Sequence, residues 1–446
     1  MNNVMNHKKF YLKDYVSKND PLHALLFSTF SFSGCFAVWT IFSIIGIKIK
    51  HQIGLTDTQF GLLVATPILT GSLSRLFLGI WTDQYGGRII FTLLMIFASI
   101  STWLLTFAST YEQCILAALG MGLAGGGFAV GISYISRWYT KDKQGFSLGI
   151  FGMGNFGAAI TNFGAPFLLY LGWQGVAKIY SITLGIIAVL FFVFTKTDPV
   201  IIHRKKYGIK FDSATKQMEP LKNLQVWRFA VYYFFVFGAF VALALWLPRY
   251  YIGVYGLDIK TAGMLTAMYS LPGSIFRALG GWLSDKIGAR LVMYWTFIVC
   301  IICLFIMSYP ATNYIVQGVK EDITFSLRIT LTPFVILTII LGFFMSLGKA
   351  AVYKHIPVYY PNNVGSVGGM VGLIGGLGGF CFPIIFGIMN DYIGIWTSCF
   401  MILFFITCIA LLWMHITVVS LEKSLYPEIS KPHYLPEFST MNKNKD

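Results

Sequence analysis

Two arginines occupy matching positions in a motif that the chain carries twice. The first copy contains Gly71, Ser72, Arg75, Gly79, Asp83, Gly86 and Arg88; the second contains Gly273, Ser274, Arg277, Gly281, Asp285, Gly288 and Arg290. All seven identities share one offset of 202 residues without a gap. Chance similarity between apolar segments rarely produces such a match, so the motif indicates an internal duplication.

Both arginines lie in stretches that are otherwise apolar. Each precedes the acidic residue of its motif by eight residues, which is about 12 Å along a helix. A lone charge at the centre of a bilayer costs at least about 2.5–3.5 kcal/mol. None of the 18 acidic residues lies clearly at that depth, so pairing with a buried carboxylate does not explain the arginines. A guanidinium group matches a planar oxyanion with two parallel hydrogen bonds. The pair therefore favours a small, singly charged anion such as nitrate, nitrite, formate or bicarbonate over a sugar or a cationic drug.

The segments that position these arginines are predicted membrane spans. Of the 446 residues, 56% are hydrophobic and 11% charged, and the mean hydropathy is +0.69. A span needs about 20 mostly apolar residues. Twelve runs qualify: 25–47, 58–81, 89–108, 113–136, 145–171, 176–195, 229–250, 262–283, 291–309, 331–353, 365–389 and 395–418.

The distribution of basic residues predicts the orientation. With a cytoplasmic N-terminus, 23 of the 33 lysines and arginines face the cytoplasm, seven face outside and three (Arg75, Arg277 and Lys349) are embedded. This positive-inside bias places both termini in the cytoplasm and accounts for the formal charge of +15 without nucleic-acid binding. The polar residues 1–22 lack the features of a cleaved signal peptide.

The long hydrophilic stretch 196–228 divides the chain into two halves. We predict a cytoplasmic tail at 1–22, a six-helix bundle at 23–195, a basic cytoplasmic linker at 196–228, a second six-helix bundle at 229–418 and a cytoplasmic tail at 419–446. The mixed charges near 310–330 predict a solvated external loop. No metal-ligand cluster, nucleophile motif or phosphate loop is evident, so we expect neither an enzyme nor a cofactor.

The repeated segments Gly79 to Arg88 and Gly281 to Arg290 resemble the Gly-x-x-x-Asp-x-x-Gly-x-Arg/Lys motif of the major facilitator superfamily. The resemblance implies an all-α integral membrane protein with twelve transmembrane helices in two pseudo-symmetric bundles. These bundles rock about a site near the bilayer midplane. We predict gating roles at the cytoplasmic helix ends for Asp83, Arg88, Asp285 and Arg290.

Glycines are concentrated in spans four, five and eleven. Small residues allow close helix packing in lipid, and that explains most of them. In spans five and eleven their density also predicts backbone that slides where the bundles meet, and Gly152 and Gly375 are assigned to this conformational role. Asn155 is the single polar side chain in the span-five cluster. Its amide could donate to an oxyanion or hold a neighbouring helix, and the residue pattern leaves both open.

Together these features resemble the nitrate/nitrite porter (NarK-type) family of the superfamily. The matching segments are the paired arginines, Gly122 to Phe128, Gly154-Asn155-x-Gly157 and the glycine-rich stretch 365–379. The resemblance implies that Arg75 and Arg277 clamp the anion, that Asn155 donates a hydrogen bond, and that aromatic rings sandwich the planar ion. The aromatic candidates are Phe128, Tyr233 and Phe237. In span one, Phe36, Trp39 and Phe42 stay open.

Lys349 departs from the family pattern, since many members carry small or amide residues there. A third cation would strengthen anion attraction, or it could lose a proton when desolvated. The surrounding segment resembles porters assigned to nitrate uptake with protons. Lys354 and His355 are interpreted as interfacial.

We therefore expect a monomeric secondary transporter of nitrate, and also of nitrite, that takes up nitrate with protons across a bacterial inner membrane. The alternatives are a nitrate/nitrite antiporter and an organic-anion or phosphate-ester exchanger. An anion channel or a transporter-like sensor is the alternative from another class.

Overall fold

A computed structural model describes residues 17, 19–139, 141–207, 222–359 and 364–425. The described chain is almost entirely helical, with one short hairpin. The helices are α1 Asp20–Trp39, α2 Phe42–Ile53, α3 Asp57–Tyr85, α4 Gly87–Leu105, α5 Tyr111–Met121, α6 Gly127–Ser136, α7 Lys141–Gly152, α8 Gly157–Leu168, α9 Gly172–Phe194, α10 Pro199–Tyr207, α11 Leu224–Tyr233, α12 Phe240–Tyr255, α13 Ile259–Ser270, α14 Pro272–Ile275, α15 Arg277–Leu283, α16 Ala289–Met307, α17 Leu331–Tyr359, α18 Val364–Ile393 and α19 Ser398–Leu425.

Five shorter helical segments link some of these helices into longer rods. The tight 3₁₀ turns are Gly122–Gly126, Met153–Phe156 and Leu169–Leu171, and the wide π turns are Phe234–Ala239 and Ser284–Gly288. Between α16 and α17, strands β1 (Thr312–Gln317) and β2 (Asp322–Leu327) form an antiparallel hairpin where a loop was expected. The hairpin forms because both strands are rich in β-branched and aromatic residues, which β2 alternates with polar ones.

Membrane spans dominate the described residues. Nine helical segments among them are long and apolar enough to cross a bilayer. Two of these, Ser147–Phe194 and Ile259–Met307, run for 48 and 49 residues, more than one crossing requires. The prediction of an all-α membrane protein is confirmed, whereas the count of twelve crossings stays a prediction.

The 202-residue repeat extends into the backbone conformation. Gly54 and Gly256 both have positive φ (78° and 65°), and so do Gly86 and Gly288 (93° and 90°). Each pair is separated by that same offset, and each glycine follows or interrupts a helix where a side chain would be strained. The helices after the first pair are also capped at equivalent positions, Thr56 and Asp258. These matches do not test the predicted boundaries of the two bundles.

The two halves pack on each other mainly through α3 against α18 and α8 against α13. Glycines make the close approach possible. A Cβ at Gly61 would overlap the carbonyl oxygen of Pro383, and one at Gly387 would overlap the backbone of Asp57. The contact between halves is therefore backbone to backbone at these points.

A polar cluster joins the halves where α2 ends and α3 begins, which we call the Asp57 end. The Asp57 carboxylate contacts Lys50 Nζ at 2.9 Å, Arg249 Nη2 at 3.3 Å and Asn390 Nδ2 at 3.1 Å. Asp391 of α18 accepts the backbone N–H groups of Asp57 at 3.0 Å and Thr58 at 2.7 Å. A carboxylate from one half thus caps a helix N-terminus of the other, where negative charge is favoured. The halves are in direct contact at this end.

Candidate functional site

Arg75 lies inside α3 and bridges the halves. Its side chain is 3% exposed. Nε donates to the carbonyl oxygen of Gly125 at 3.3 Å, and Nη1 donates to that of Gly372 on α18 at 2.5 Å. A Cβ at Gly372 would meet the Tyr353 hydroxyl at 2.9 Å, so glycine leaves room for this hydroxyl beside the helix. Arg75 is therefore held by backbone carbonyls rather than by a carboxylate.

Arg277 begins α15, directly after a break in the helix at Phe276. It is 7% exposed. Its Nη2 donates to the hydroxyl of Tyr233 at 3.5 Å, and its Cζ lies 5.5 Å from the centre of the Tyr353 ring. Nη1 is buried and has no hydrogen-bond partner among the described residues. A buried charged donor without a partner is costly, which makes it a strong indication of a ligand.

Phe128 brings the two arginines together. Cζ of Arg75 lies 5.6 Å from the ring centre, and Cζ of Arg277 lies 5.4 Å from it. Cation–π attraction offsets a small part of the burial cost. The buried carboxylates of the described chain are Asp20, Asp57 and Asp198, and each has other basic partners. The positive charge of the pair is thus not neutralised by those side chains.

Aromatic rings enclose the arginine pair. Tyr233 and Phe237 are stacked, with centres 5.0 Å apart and an interplanar angle of 7°. Tyr353 stands edge-on to Tyr233 at 5.0 Å. The π turn Phe234–Ala239 starts immediately after Tyr233 and changes the direction of the following side chains, as such turns often do at functional sites. A Cβ at Gly375 would overlap the Tyr233 ring, so this glycine is required for the observed packing.

Asn155 is positioned by the 3₁₀ turn Met153–Phe156, which packs against α14 just before Arg277. The residue is 1% exposed, and neither its Nδ2 nor its Oδ1 has a hydrogen-bond partner within the described chain. Three residues earlier, a Cβ at Gly152 would lie 3.3 Å from Cδ and Nε of Arg277. The amide is therefore a second unpaired buried group close to the same arginine.

Lys349 is fully buried on α17. Its ammonium group donates to the carbonyl oxygen of Gly273 at 2.5 Å and lies 3.3 Å from the centre of the Phe240 ring. Gly273 is one helical turn before Arg277. The structure thus connects Lys349 to the segment that carries Arg277, and not to the ring that both arginines share.

Of the predicted gating residues, Asp83 and Arg88 lie at the opposite end of α3 from Asp57, and Asp285 and Arg290 lie at the equivalent positions of the repeat in the second half. Arg88 donates to the carbonyl oxygen of Phe192 at 2.8 and 3.0 Å, and Asp285 forms an ion pair with Lys354. Asp83 lies in α3, but its side chain is outside the described residues. Arg290 lies in the first turn of α16, after Gly288. Arg88 and Asp285 contact partners in their own half, and their gating role stays a prediction.

Two aromatic residues of the site were not assigned from the sequence. Trp39 was one of three open candidates, and its ring centre lies 5.8 Å from Cζ of Arg75. Tyr353 was missed, although it follows Lys349 by four residues and so shares its helix face. Its hydroxyl donates to the Gly368 carbonyl oxygen at 3.0 Å. The abundance of aromatic residues, 17% of the chain, hides such positions.

Comparison with known proteins adds independent information. Residues 26–319 match the family model described as Major Facilitator Superfamily. "Probable nitrate/nitrite antiporter NarK1" of Thermus thermophilus is 42% identical over 419 residues, which cover 90% of this chain and 93% of the relative. "Probable nitrate transporter NarT" of Staphylococcus epidermidis is 29% identical, over 90% and 96% of the two chains. "Nitrite extrusion protein" of Bacillus subtilis is 28% identical, over 82% and 87%.

The fold also matches a solved structure. A bacterial homolog of the human lysosomal transporter Spinster superposes with a TM-score of 0.70 at 15% identity, over 90% of this chain and 97% of that one. At this identity the match shows the fold alone. With the family match and the relatives, it follows that the chain is a membrane transporter rather than an enzyme and belongs to the Major Facilitator Superfamily, within it to the NarK-type nitrate/nitrite porter family.

Proposed function

We propose that this protein carries nitrate and nitrite across the membrane by alternating access, with the anion clamped between Arg75 and Arg277. The observation that carries the proposal is the pair of unsatisfied buried groups, Nη1 of Arg277 and the amide of Asn155. Two guanidinium groups at one phenyl ring repel each other, and an anion between them would relieve this repulsion. The names of the three relatives support nitrate and nitrite as the anions.

The surroundings of the arginines favour a small flat anion. The Phe237 ring, which stacks on Tyr233, has its centre 5.5 Å from Cζ of Arg75, and the glycine backbone of α18 contacts the same guanidinium group. A planar anion can accept from a guanidinium edge while its face rests on an aromatic ring. A tetrahedral dianion would need donors out of that plane. The organic-anion or phosphate-ester alternative is therefore less well supported than nitrate.

Substrate binding would also drive the conformational cycle. In the empty site, closure of the halves brings two uncompensated positive charges together. A bound anion removes this penalty and lowers the barrier to rocking. Gly152 contributes by leaving space for Arg277 where the two halves meet, and Gly375 by leaving space for Tyr233 within the second half. With both termini cytoplasmic, as the charge bias predicts, the Asp57 end faces outward. We infer a bacterial inner membrane and a monomer.

The first experiment is nitrate uptake into proteoliposomes, with a proton gradient imposed or abolished and with nitrite inside or absent. Nitrate uptake in any of these four conditions supports a nitrate carrier. Absence of nitrate transport in all four conditions would contradict it and direct attention to phosphate esters. Flux far above carrier turnover rates would instead indicate a channel.

Asn155→Ala separates two roles of the amide. If the amide binds the anion, the variant transports nitrate about tenfold less efficiently, because one hydrogen bond of about 1–1.5 kcal/mol is lost. Its thermal stability should not fall, since the replaced group has no partner in the described chain. Uptake at low nitrate and the melting temperature in detergent are the two measurements.

Asn162→Ala is the matched control for this prediction. The Asn162 amide accepts from Ser43 Oγ at 2.8 Å and donates to the Ala244 carbonyl oxygen at 3.2 Å. Its removal leaves a buried hydroxyl and a buried carbonyl with fewer partners, so the melting temperature should drop. A lower melting temperature for Asn155→Ala, with nitrate affinity unchanged, would mean that Asn155 holds a neighbouring helix.

The proposal also concerns what drives nitrate transport, either a proton gradient or exchange against nitrite. One feature favours each of these two coupling modes. Lys349 is a buried cation without a carboxylate partner in the described chain, which suits uptake with a proton. The ammonium would carry the proton inward with nitrate, release it to the cytoplasm and return as the neutral amine. The name of the Thermus thermophilus relative favours nitrate/nitrite exchange instead.

Lys349→Met tests the proton mode. With symport, the variant loses accumulation driven by the proton gradient but retains exchange of nitrate against internal nitrite. Lys178→Met, which removes an exposed lysine, should leave both modes unchanged. Gradient-driven accumulation that persists in Lys349→Met would exclude this lysine as the proton carrier. Uptake by the unmodified protein that requires internal nitrite at every gradient would establish exchange.

A further inference from the structure

The hairpin between α16 and α17 has one apolar and one polar face. Its register pairs Tyr314 with Phe325 and Val316 with Ile323, and side chains alternate between faces along each strand. One face therefore carries Tyr314, Val316, Ile323, Phe325 and Leu327, together with Thr312. The opposite face carries Asn313, Gln317, Asp322, Thr324 and Ser326, together with Ile315.

The apolar face is not covered by the rest of the described chain. Every residue of β2 is exposed, including Ile323 at 56%, Phe325 at 48% and Leu327 at 50%. Within the face, Tyr314 and Phe325 stack at 5.2 Å. A two-stranded hairpin is only marginally stable in water without a surface to pack on. We therefore expect the five apolar side chains to pack against something outside the described chain.

The connections to the neighbouring helices hold the hairpin close to the membrane. Only residues 308–311 separate β1 from the end of α16, which limits the distance between Met307 and Thr312 to about 18 Å. The return segment is fixed where the hydroxyl of Tyr255 donates to the Ile329 carbonyl oxygen at 3.2 Å. In the last turn of α16, Phe305 and Ile306 are exposed on the surface of a candidate span. The nearest apolar phase is thus the lipid that surrounds this helix.

We propose that the apolar face of this hairpin lies on the membrane surface, in the headgroup and upper acyl region of the leaflet at the Asp57 end. Tyrosines such as Tyr314 are enriched at that level of a bilayer, and phenylalanine and leucine, such as Phe325 and Leu327, are typical of the apolar face of interfacial elements. The polar face and the turn, with Lys320 and Glu321, face water. The hairpin behaves as an interfacial anchor on the second half of the molecule, comparable in principle to an amphipathic helix.

The test is the lipid exposure of single spin labels on the full-length protein in liposomes. Labels are placed by Ile323→Cys and Phe325→Cys on the apolar face, and by Thr324→Cys and Ser326→Cys on the polar face. The background replaces Cys381 and Cys408 with alanine, because the other five cysteines are buried. We expect labels at 323 and 325 to collide more with oxygen than with a water-soluble nickel complex, and those at 324 and 326 to show the reverse.

Each other outcome overturns the proposal. Four water-exposed labels would mean a hairpin that stands free in solvent. Shielding of 323 and 325 from both reagents, with spin–spin broadening that grows with protein density, would mean a second copy on this face. All four positions are exposed, so the substitutions should leave the fold intact, and size-exclusion profiles check this. The measurement does not depend on which anion is transported.

Discussion

Arg277→Lys and Arg75→Lys each reduce nitrate uptake roughly 10- to 150-fold, although each variant keeps its positive charge. A charge-assisted hydrogen bond is worth about 1.5–3 kcal/mol, and tenfold in affinity corresponds to about 1.4 kcal/mol. A lysine ammonium is a point charge and cannot present a two-pronged edge to a planar anion. At position 75 it would also have to satisfy both the Gly125 and the Gly372 carbonyl oxygens, which the planar group reaches at the same time.

The measurement is initial uptake at nitrate concentrations below half-saturation, with protein amount matched in the liposomes. Arg328→Lys, an exchange at an exposed position next to the hairpin, is the control and should leave uptake unchanged. Direct nitrate binding to the detergent-solubilised protein distinguishes a lost ligand from a slowed conformational step. Unchanged transport by either clamp variant would rule out the paired-arginine clamp.

Gly387→Ala reduces uptake about tenfold or more by preventing the halves from closing at the Asp57 end. The added methyl group would overlap the backbone carbonyl of Asp57, which cannot move aside as a flexible side chain can. Overpacking of a tight contact typically costs about 1–3 kcal/mol. The overlap raises the free energy of the closed state only, so the population shifts towards the open state.

Spin-label distances between Tyr170→Cys and Tyr392→Cys report this opening directly. These tyrosines are 80% and 85% exposed, and one belongs to each half. The Gly387→Ala variant should lengthen the distance at the Asp57 end. Gly369→Ala is the matched control on the same helix, because its Cβ would meet nothing within 4 Å. Identical distances in both alanine variants would mean that Gly387 is not needed for closure.

A substitution in the polar cluster tests the same closure of the halves. Asp391→Asn keeps the shape of the side chain but removes the charge that caps α3 across the interface. The cap and its charge are worth about 1 kcal/mol, so we expect a shift in the same direction that is smaller than for Gly387→Ala. A larger shift for Asp391→Asn would place the main closing energy in the polar cluster.

Some features of the site followed from the sequence because they depend on local rules. The repeat put Arg75 and Arg277 at equivalent depths by counting helix residues, and the same offset reappears in the positive-φ glycines Gly54 and Gly256. Lys349 could not be oriented by counting. The sequence predicts it as a third cation near the site, and the structure directs its ammonium group to the Gly273 carbonyl oxygen and the Phe240 ring, so a role in anion binding stays a prediction. Depth along a helix does not specify the direction in which a long side chain points.

The lengths of the apolar runs, the bias of the basic residues and the 202-residue offset can be read along the chain, and they predict a membrane protein with a duplicated motif and two embedded arginines. The partners of those arginines depend on the folded structure. It placed Phe128 between them, brought the Gly372 carbonyl from the other half to Arg75, left Nη1 of Arg277 without a partner among the described residues, and added Tyr353 to the enclosure. These contacts join residues up to 297 positions apart, and no local pattern encodes them. They arise when two helical halves pack together and each side chain takes the space that glycines leave open.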